Sequence, residues 1–380
     1  MEVPSIDTRS YRHIRLAKNG LCCLLIHDAD NSNNKAAAAM AVHVGQMHDT
    51  IHASGNNVKY NLPGLAHLTE HLLFMGTEKF PNENEYDKYL SNNGGHSNAY
   101  TDLQLTNYYF EVSTGATGNQ DGPKEDSEDA PSTENGTSET ANETTTTTPK
   151  NGMGVLEGAL DRFASCFISP LLAAESLERE IQAVDSEHAK NVQSDHWRID
   201  HLTRMILGKG SPTDHPYASF GSGNRESLLG QYDLETLRTA VQMFYNKYYI
   251  SKNMTLCVFV GGSQWSMDQL EDLVERTFGD IPTEPRAALL VNSLSPDATT
   301  TANNDQIVIP SLSDYAKANL PTRVNVVPIR EHVTIEMLWP MREVQSLYDS
   351  KPTRFLSHLL GHEVRSHEWK TPRLLRIIIP

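Results

Sequence analysis

Short apolar runs bounded by Asn, Asp, Lys or Gly open the chain. LCCLLIHDA (Leu21 to Ala29) and AAAAMAVHVG (Ala36 to Gly45) are such runs, and their length and boundaries predict strands. The period then changes. Gly64 to Gly76, GLAHLTEHLLFMG, spaces its leucines as a helix does, with Pro63 early and Gly76 just past the end, where helix boundaries favour these two residues. SNAYTDLQLTNYYFEVS has the β-branched and aromatic content of two short strands. VLEGALDRFASCFI and LEREIQAVDSEHAKNV return to helical spacing, and Met254 to Gly262 reads as a strand. Asp268 to Phe278 predicts a helix, with RVNVVPI and VTIEMLW as later strands. Mixed helices and strands make the class α+β or α/β.

One segment breaks the pattern. Between Gly115 and Gly152 there is no aromatic or large aliphatic residue, and Asp and Glu far outnumber Lys. Such a composition cannot bury enough apolar surface to offset the entropy of ordering, so a disordered, acidic surface insertion is expected. The 380 residues exceed the size of a single hydrophobic core, which stops growing near roughly 250 to 300 residues, so more than one domain is expected. A net charge of −16 opposes a phosphate-binding surface and argues against nucleic acid as a partner. Of the four cysteines, Cys22 and Cys23 are sequence neighbours, and no disulfide framework is indicated. The sequons at Asn135, Asn142 and Asn253 read as chance matches. No apolar run is long enough for a membrane span and no secretory h-region opens the chain, so a soluble, cytoplasmic protein is expected.

The helix at Gly64 carries three groups that a plain core helix excludes. A period of 3.6 residues stacks His67 and His71 on one face, with Glu70 beside them. Two imidazoles one turn apart form half of a Zn²⁺ site, and a neighbouring carboxylate is a candidate general base for attack of water on a carbonyl. A third ligand is needed, and a carboxylate on another helix suits catalytic zinc. In LEREIQAVDSEHAKNV, Glu180 and Glu187 lie seven residues apart on one helical face. His188 competes by residue type but points about 100° away from Glu187.

HLTEH is followed by LLFMGTEKFPNENEYDKYLSNNGGHSNAYT, LTNYYFEVS, LEGALDRFA, AVDSEHAKNVQSDHWR and HPYASFGSGN. These blocks, in order from about Tyr11 to His362, resemble the pitrilysin family of zinc metallopeptidases, the inverzincins marked by H-x-x-E-H. The resemblance implies an α+β fold, a mixed sheet flanked by helices. It implies one Zn²⁺ per chain held by His67, His71 and Glu187, with Glu70 as general base and Glu180 as a supporting carboxylate. It further implies peptide substrates laid along the SNAYT strand, with Asn98 and Ala99 as main-chain contacts and Phe74 as a pocket-lining aromatic.

The same resemblance sets the expected organisation: residues 1–283 as the zinc-binding catalytic domain with its insertion at about 115–152, and 284–380 as a partial second domain. Family members of this kind are much longer, with four homologous domains in two halves around a chamber. After FLSHLLGHE the family's Gly-rich turn and helix are missing. The tail from about 364, VRSHEWKTPRLLRIIIP, has neither a heptad nor a strand pattern. The family's anchor for the substrate N-terminus, and the Arg and Tyr of its distant half, have no counterpart in this chain. The expectation is a complete zinc site with weak activity, raised by a C-terminal half or a homologous subunit. The competing readings are a non-catalytic peptide-binding subunit and an inactive truncated fragment. Retention of His67, Glu70, His71 and Glu187 favours the zinc metalloendopeptidase.

Overall fold

The computed structural model describes residues 5–31, 34–52, 59–114, 152–210, 213–286 and 311–329, and beyond them only short pieces that include 337–340 and 375–378. The acidic segment, over 115–151, lies outside the described residues.

Strands β1 (Ser10–Arg15), β2 (Cys22–Asp28) and β3 (Lys35–Val42) come first, then a small hairpin of β4 (Thr50–His52) and β5 (Lys59–Asn61). Helices α1 (Leu65–Leu73) and α2 (Glu85–Asn92) precede β6 (His96–Thr101) and β7 (Thr106–Ser113). Helices α3 (Gly152–Ile168), α4 (Ala174–Asn191), α5 (Asp195–Gly208), α6 (Arg225–Leu229) and α7 (Leu234–Tyr248) follow, then β8 (Met254–Gly261) and α8 (Met267–Phe278). The remaining elements are α9 (Leu312–Asn319), β9 (Met337–Pro340) and β10 (Leu375–Ile378).

Six strands form a mixed sheet in the order β1-β2-β8-β3-β7-β6. Within this sheet only the β2–β8 pair is parallel. Along β2, β3, β7 and β8 every second side chain turns inward, among them Cys23, Leu25, Met40, Val42, Tyr108, Phe110, Leu256 and Val258. That face carries the helices: Leu68 and Leu72 of α1, Phe163 and Phe167 of α3, Phe244 of α7 and Phe278 of α8 join the strands in one core that reaches Ile281. The alternate positions, Leu24, Ala39, Tyr109 and Cys257 among them, remain half-buried on the other face. Removing the inward side chains from water is the main source of stability in such a layer. Strand β6 stands at the edge of the sheet, paired with β7, and leaves a row of main-chain groups open. A small satellite cluster of Met47, Leu207, Tyr217, Leu312 and Ala316 seats α9 on α5.

The expected early strands, the two strands of SNAYT…FEVS, the strand at Met254 and the helices over α1, α3, α4 and α8 all form. Helix α1 begins at Leu65, so Pro63 stands just ahead of it rather than within it. Residues 323–329, expected as a strand, carry none. Instead the Val327 carbonyl accepts from Arg198, and the Ile329 N–H donates to Asp195 on α5. Pro328 lacks an amide hydrogen, which disfavours a ladder there. The strand expected over VTIEMLW is described only from Met337, and it pairs in parallel with Leu375–Ile378. The tail read as lacking a strand pattern therefore supplies a strand, LRII. Among the described residues no helix is long and apolar enough to cross a membrane.

Candidate metal centre

Helix α1 turns Leu65, Leu68, Leu72 and Leu73 into the core, which leaves His67 and His71 together on its rim, their side chains 18% and 16% exposed. The N-terminus of α1 has no cap from its own sequence, because Gly64 occupies that position with φ +98°. A distant residue supplies the acceptors: Asp49 accepts the N–H of Gly64 (2.7 Å) and of Ala66 (2.9 Å). A carboxylate there satisfies orphan amides and opposes the positive end of the helix dipole. Burial pushes the Asp49 pKa up to about 7 despite those hydrogen bonds.

Helix α4 buries Leu177, Ile181 and Val184, and that stripe fixes the rotation of the helix so that two of its carboxylates meet α1. Glu187 Oε2 lies 3.3 Å from His67 Nε2 and 3.8 Å from His71 Nε2, and the two Nε2 atoms are 3.3 Å apart. These three residues form a group whose ligand atoms could hold a metal ion. Ligands 2.0–2.1 Å from a tetrahedral centre stand about 3.3 Å from one another, so the spacing fits three corners of a zinc tetrahedron. The other ring nitrogens are engaged: His67 Nδ1 donates to the Ser222 carbonyl at 2.7 Å, and His71 Nδ1 meets Glu180 Oε2 at 3.2 Å. Holding Nδ1 this way leaves Nε2 to carry the lone pair that a metal needs.

The spacing of Glu180 and Glu187 left either as a candidate ligand, and the packing separates them. Glu180 is buried behind His71, whereas the Glu187 side chain is 51% exposed at the open end of the group. His188 turns away, its ring against Phe220 with centroids 4.8 Å apart.

Charge reinforces the arrangement. Burial works against protonation of His71, but Glu180 and Glu187 outweigh it and raise its pKa to about 9. Burial likewise disfavours the charged form of His67, yet its hydrogen bond with Glu187 and the nearby Glu70 bring a net rise. The two imidazoles hold the Glu187 carboxyl far below the usual carboxylate range. Burial pushes Glu70 up, opposed by a hydrogen bond from Thr101.

Glu70 faces away from the core leucines toward the edge strand, where Thr101 Oγ1 donates to its Oε2 at 2.5 Å. Gln46 Nε2 donates to the Thr101 carbonyl (3.2 Å), and Arg204 of α5 donates to Gln46 Oε1 (3.0 Å). The end of β6 is thus tied both to Glu70 and to α5. On β6, Ser97, Ala99 and Thr101 face α1 and α2, while Asn98 is exposed on the other side. The Ala99 N–H donates to Oδ1 of Asn98 (2.8 Å), so it faces the open side of the strand. Phe74, expected in a pocket, is half-buried and packs on Tyr86 and Tyr108, with ring centroids 5.2 and 5.5 Å away.

Asp49, Thr101 and Ser222 were not anticipated from the sequence. Asp49 and Thr101 act across the fold on groups distant in the chain, and Ser222 acts through its backbone carbonyl, which no residue type announces.

Two family models match. One, described as Insulinase (Peptidase family M16), covers residues 25–119 and 132–210. The other, Peptidase M16 inactive domain, covers 236–378. The chain is 34% identical over 361 residues to the insulin-degrading enzyme of Drosophila melanogaster, covering 94% of this chain and 28% of that protein. It is 35% identical over 362 residues to the A-factor-processing enzyme of Saccharomyces cerevisiae, with 95% and 28% covered. Among solved structures, the crystal structure of pitrilysin aligns with a TM-score of 0.53 at 26% identity, over 73% of this chain and 23% of that one. The chain spans little more than a quarter of the length of these curated relatives. Both helices that carry the candidate group lie inside the first matched region, and the agreement of sequence, fold and model places this chain in the M16, or pitrilysin, family of peptidases.

Proposed function

We propose that this chain is the zinc-binding catalytic part of a metalloendopeptidase that cleaves peptides or small proteins held as an extended strand. The observation that carries the reading is the near-tetrahedral spacing of His67 Nε2, His71 Nε2 and Glu187 Oε2 beside an open sheet edge. Zinc would supply Lewis acidity toward water and the scissile carbonyl. His67, His71 and Glu187 hold it, and Glu180 and the Ser222 carbonyl orient the two imidazoles. Glu70, its pKa raised by burial, takes the proton of the attacking water and returns it to the leaving amine. Strand β6 adds the peptide to the sheet, with the Ala99 N–H as a main-chain donor once Asn98 Oδ1 yields its place. Thr101 at the end of β6 meets Glu70, so a peptide on this edge runs past that carboxylate.

A non-catalytic peptide-binding role needs none of this second set of contacts around His67 and His71, and their retention supports catalysis. The test is metal analysis of the purified chain together with cleavage of a fluorogenic peptide, alone and with a C-terminal half of a family member added. One zinc per chain and zinc-dependent cleavage in either condition are expected. A chain that takes up no zinc, or that takes it up and cleaves in neither condition, would sink the peptidase reading.

A further inference from the structure

The two helices that bring ligands to the centre are distant in sequence, and a short segment hydrogen-bonds to a residue on each, His67 of α1 and Asp185 of α4. Residues 220–227 lie between α5 and α7 and contribute nothing to the ligand group itself. At one end the Ser222 carbonyl accepts from His67 Nδ1 at 2.7 Å. Next to it, Gly223 (φ +71°) lies backbone to backbone against Gly64 (φ +98°): a Cβ added at Gly223 would stand 2.7 Å from the Gly64 Cα, and one added at Gly64 would stand 2.4 Å from the Gly223 Cα. Real Cβ atoms do not come so close, and both positions have backbone angles that glycine alone adopts at little cost. The contact is therefore possible only with glycine on both sides. Further along, Ser227 Oγ donates to the Pro63 carbonyl at 2.8 Å, just ahead of α1. Between these, the Arg225 N–H donates to Asp185 Oδ1 at 3.0 Å, on α4 two residues before Glu187.

We infer that residues 222–227 are a positioning clamp for the metal centre: through the Gly64–Gly223 contact they press the Ser222 carbonyl onto His67 and, through Asp185, hold α4 at the distance from α1 that the ligands require. The inference rests on the zinc reading above and adds to it which residues set the ligand geometry. The clamp acts in two ways. Accepting the Nδ1 proton keeps the Nε2 lone pair of His67 directed at the metal. Tying Asp185 to the segment whose carbonyl touches His67 couples the position of Glu187 to that of His67. A loop that merely filled space would need neither the glycine pair nor a hydrogen bond to each helix.

The experiment is zinc affinity of the full chain by chelator competition, with the visible spectrum of the Co²⁺-loaded protein as a report on ligand geometry. Gly223→Ala is expected to weaken zinc binding about 10- to 100-fold, the usual loss for removal of a group that orients a metal ligand, and to alter the Co²⁺ spectrum. Wild-type affinity and an unchanged spectrum in Gly223→Ala would overturn the inference. If that variant fails to fold, Asp185→Ala and Asp185→Asn carry the test, since Asp185 lies on a half-exposed helix position. The alanine should weaken binding several-fold and the asparagine, which keeps an Oδ1 acceptor without the charge, should restore it. Equal affinity in all three proteins would overturn the inference, as would equal weakening in both variants, which would assign the effect to charge. A wild-type chain that binds no zinc removes the zinc reading and this clamp with it, an outcome distinct from wild-type binding that the variants leave untouched.

Discussion

The three residues whose ligand atoms converge differ in what their loss does. His67→Ala, His71→Ala or Glu187→Ala should each remove stoichiometric zinc, measured by elemental analysis after dialysis, because each deletes one of the three side chains proposed to hold it. Glu70→Gln should keep zinc and lower cleavage by about 10²- to 10⁴-fold, since an amide cannot accept the proton. Full activity in that variant would remove Glu70 as the base. A pH dependence follows from the carboxylates around His71. Its pKa rises from 6.5 to about 9, so at any lower pH the ring holds a proton that a metal must displace. Zinc affinity should climb with pH up to about 9 and then level, by about tenfold per unit for one proton displaced. Chelator competition across that range, with calorimetry in two buffers of different ionisation enthalpy, reads the slope and the proton count. A flat profile below pH 9 would contradict the charge arrangement. The same shift stabilises the metal-free fold below pH 6.5, a contribution lost as pH rises through about 9. HLTEH was legible in the sequence because helical spacing alone brings its histidines together. The choice between Glu180 and Glu187 was not legible in spacing, which puts both on one face, and came only from the family resemblance; the packing of α4 on α1 puts one at Nδ1 of His71 and the other at Nε2 of both rings.

At the scale of elements, alternation was the most readable signal. Strands β2, β3, β7 and β8 bury every second residue, and each stands between two neighbours in the sheet. RVNVVPI has similar composition but carries no strand, because β propensity describes fit to a partner rather than an intrinsic backbone choice. Helices α2, α5 and α7 were passed over: α2 and α5 bury only a few residues each, and α7 buries Asn246 and two tyrosines, Tyr245 and Tyr248, beside its aliphatic positions, which blurs the apolar period. The edge position of β6 was expected only through family resemblance, yet it has a test of its own. Ala99→Pro removes a main-chain donor that faces the open side, where proline is tolerated in a sheet. The variant should fold with an unchanged melting temperature and the normal zinc content. Binding of a labelled peptide, measured by anisotropy in the Glu70→Gln background to prevent cleavage, should weaken about 3- to 10-fold, the value of one hydrogen bond. Unchanged peptide affinity would place the substrate elsewhere than on β6.

For the whole molecule the question is how a long acidic segment can be inserted between two parts of one core without disturbing the centre they build. Strand β7 ends at Ser113 and α3 begins at Gly152, and both contribute side chains to the same core, Phe110 and Val112 from one and Phe163 and Phe167 from the other. His67 and His71 lie before the segment and Glu187 after it. Loop closure costs grow only slowly with length, about 0.6 kcal/mol for each doubling, so the chain between can be long at little expense to the fold. The residues of 115–151 include no aromatic and no large aliphatic side chain, and so have nothing to contribute to the core that brings His67, His71 and Glu187 together. Replacing residues 115–151 by a short Gly/Ser linker should therefore leave one zinc per chain, the same Co²⁺ spectrum and a cooperative unfolding transition whose midpoint rises slightly or stays where it was. The net charge becomes less negative, which should shift the elution of the protein on anion exchange to lower salt while the centre is unaffected. Loss of zinc or of cooperativity in the deletion protein would mean that the acidic segment packs against the domain and that its composition is a poor guide to what it does.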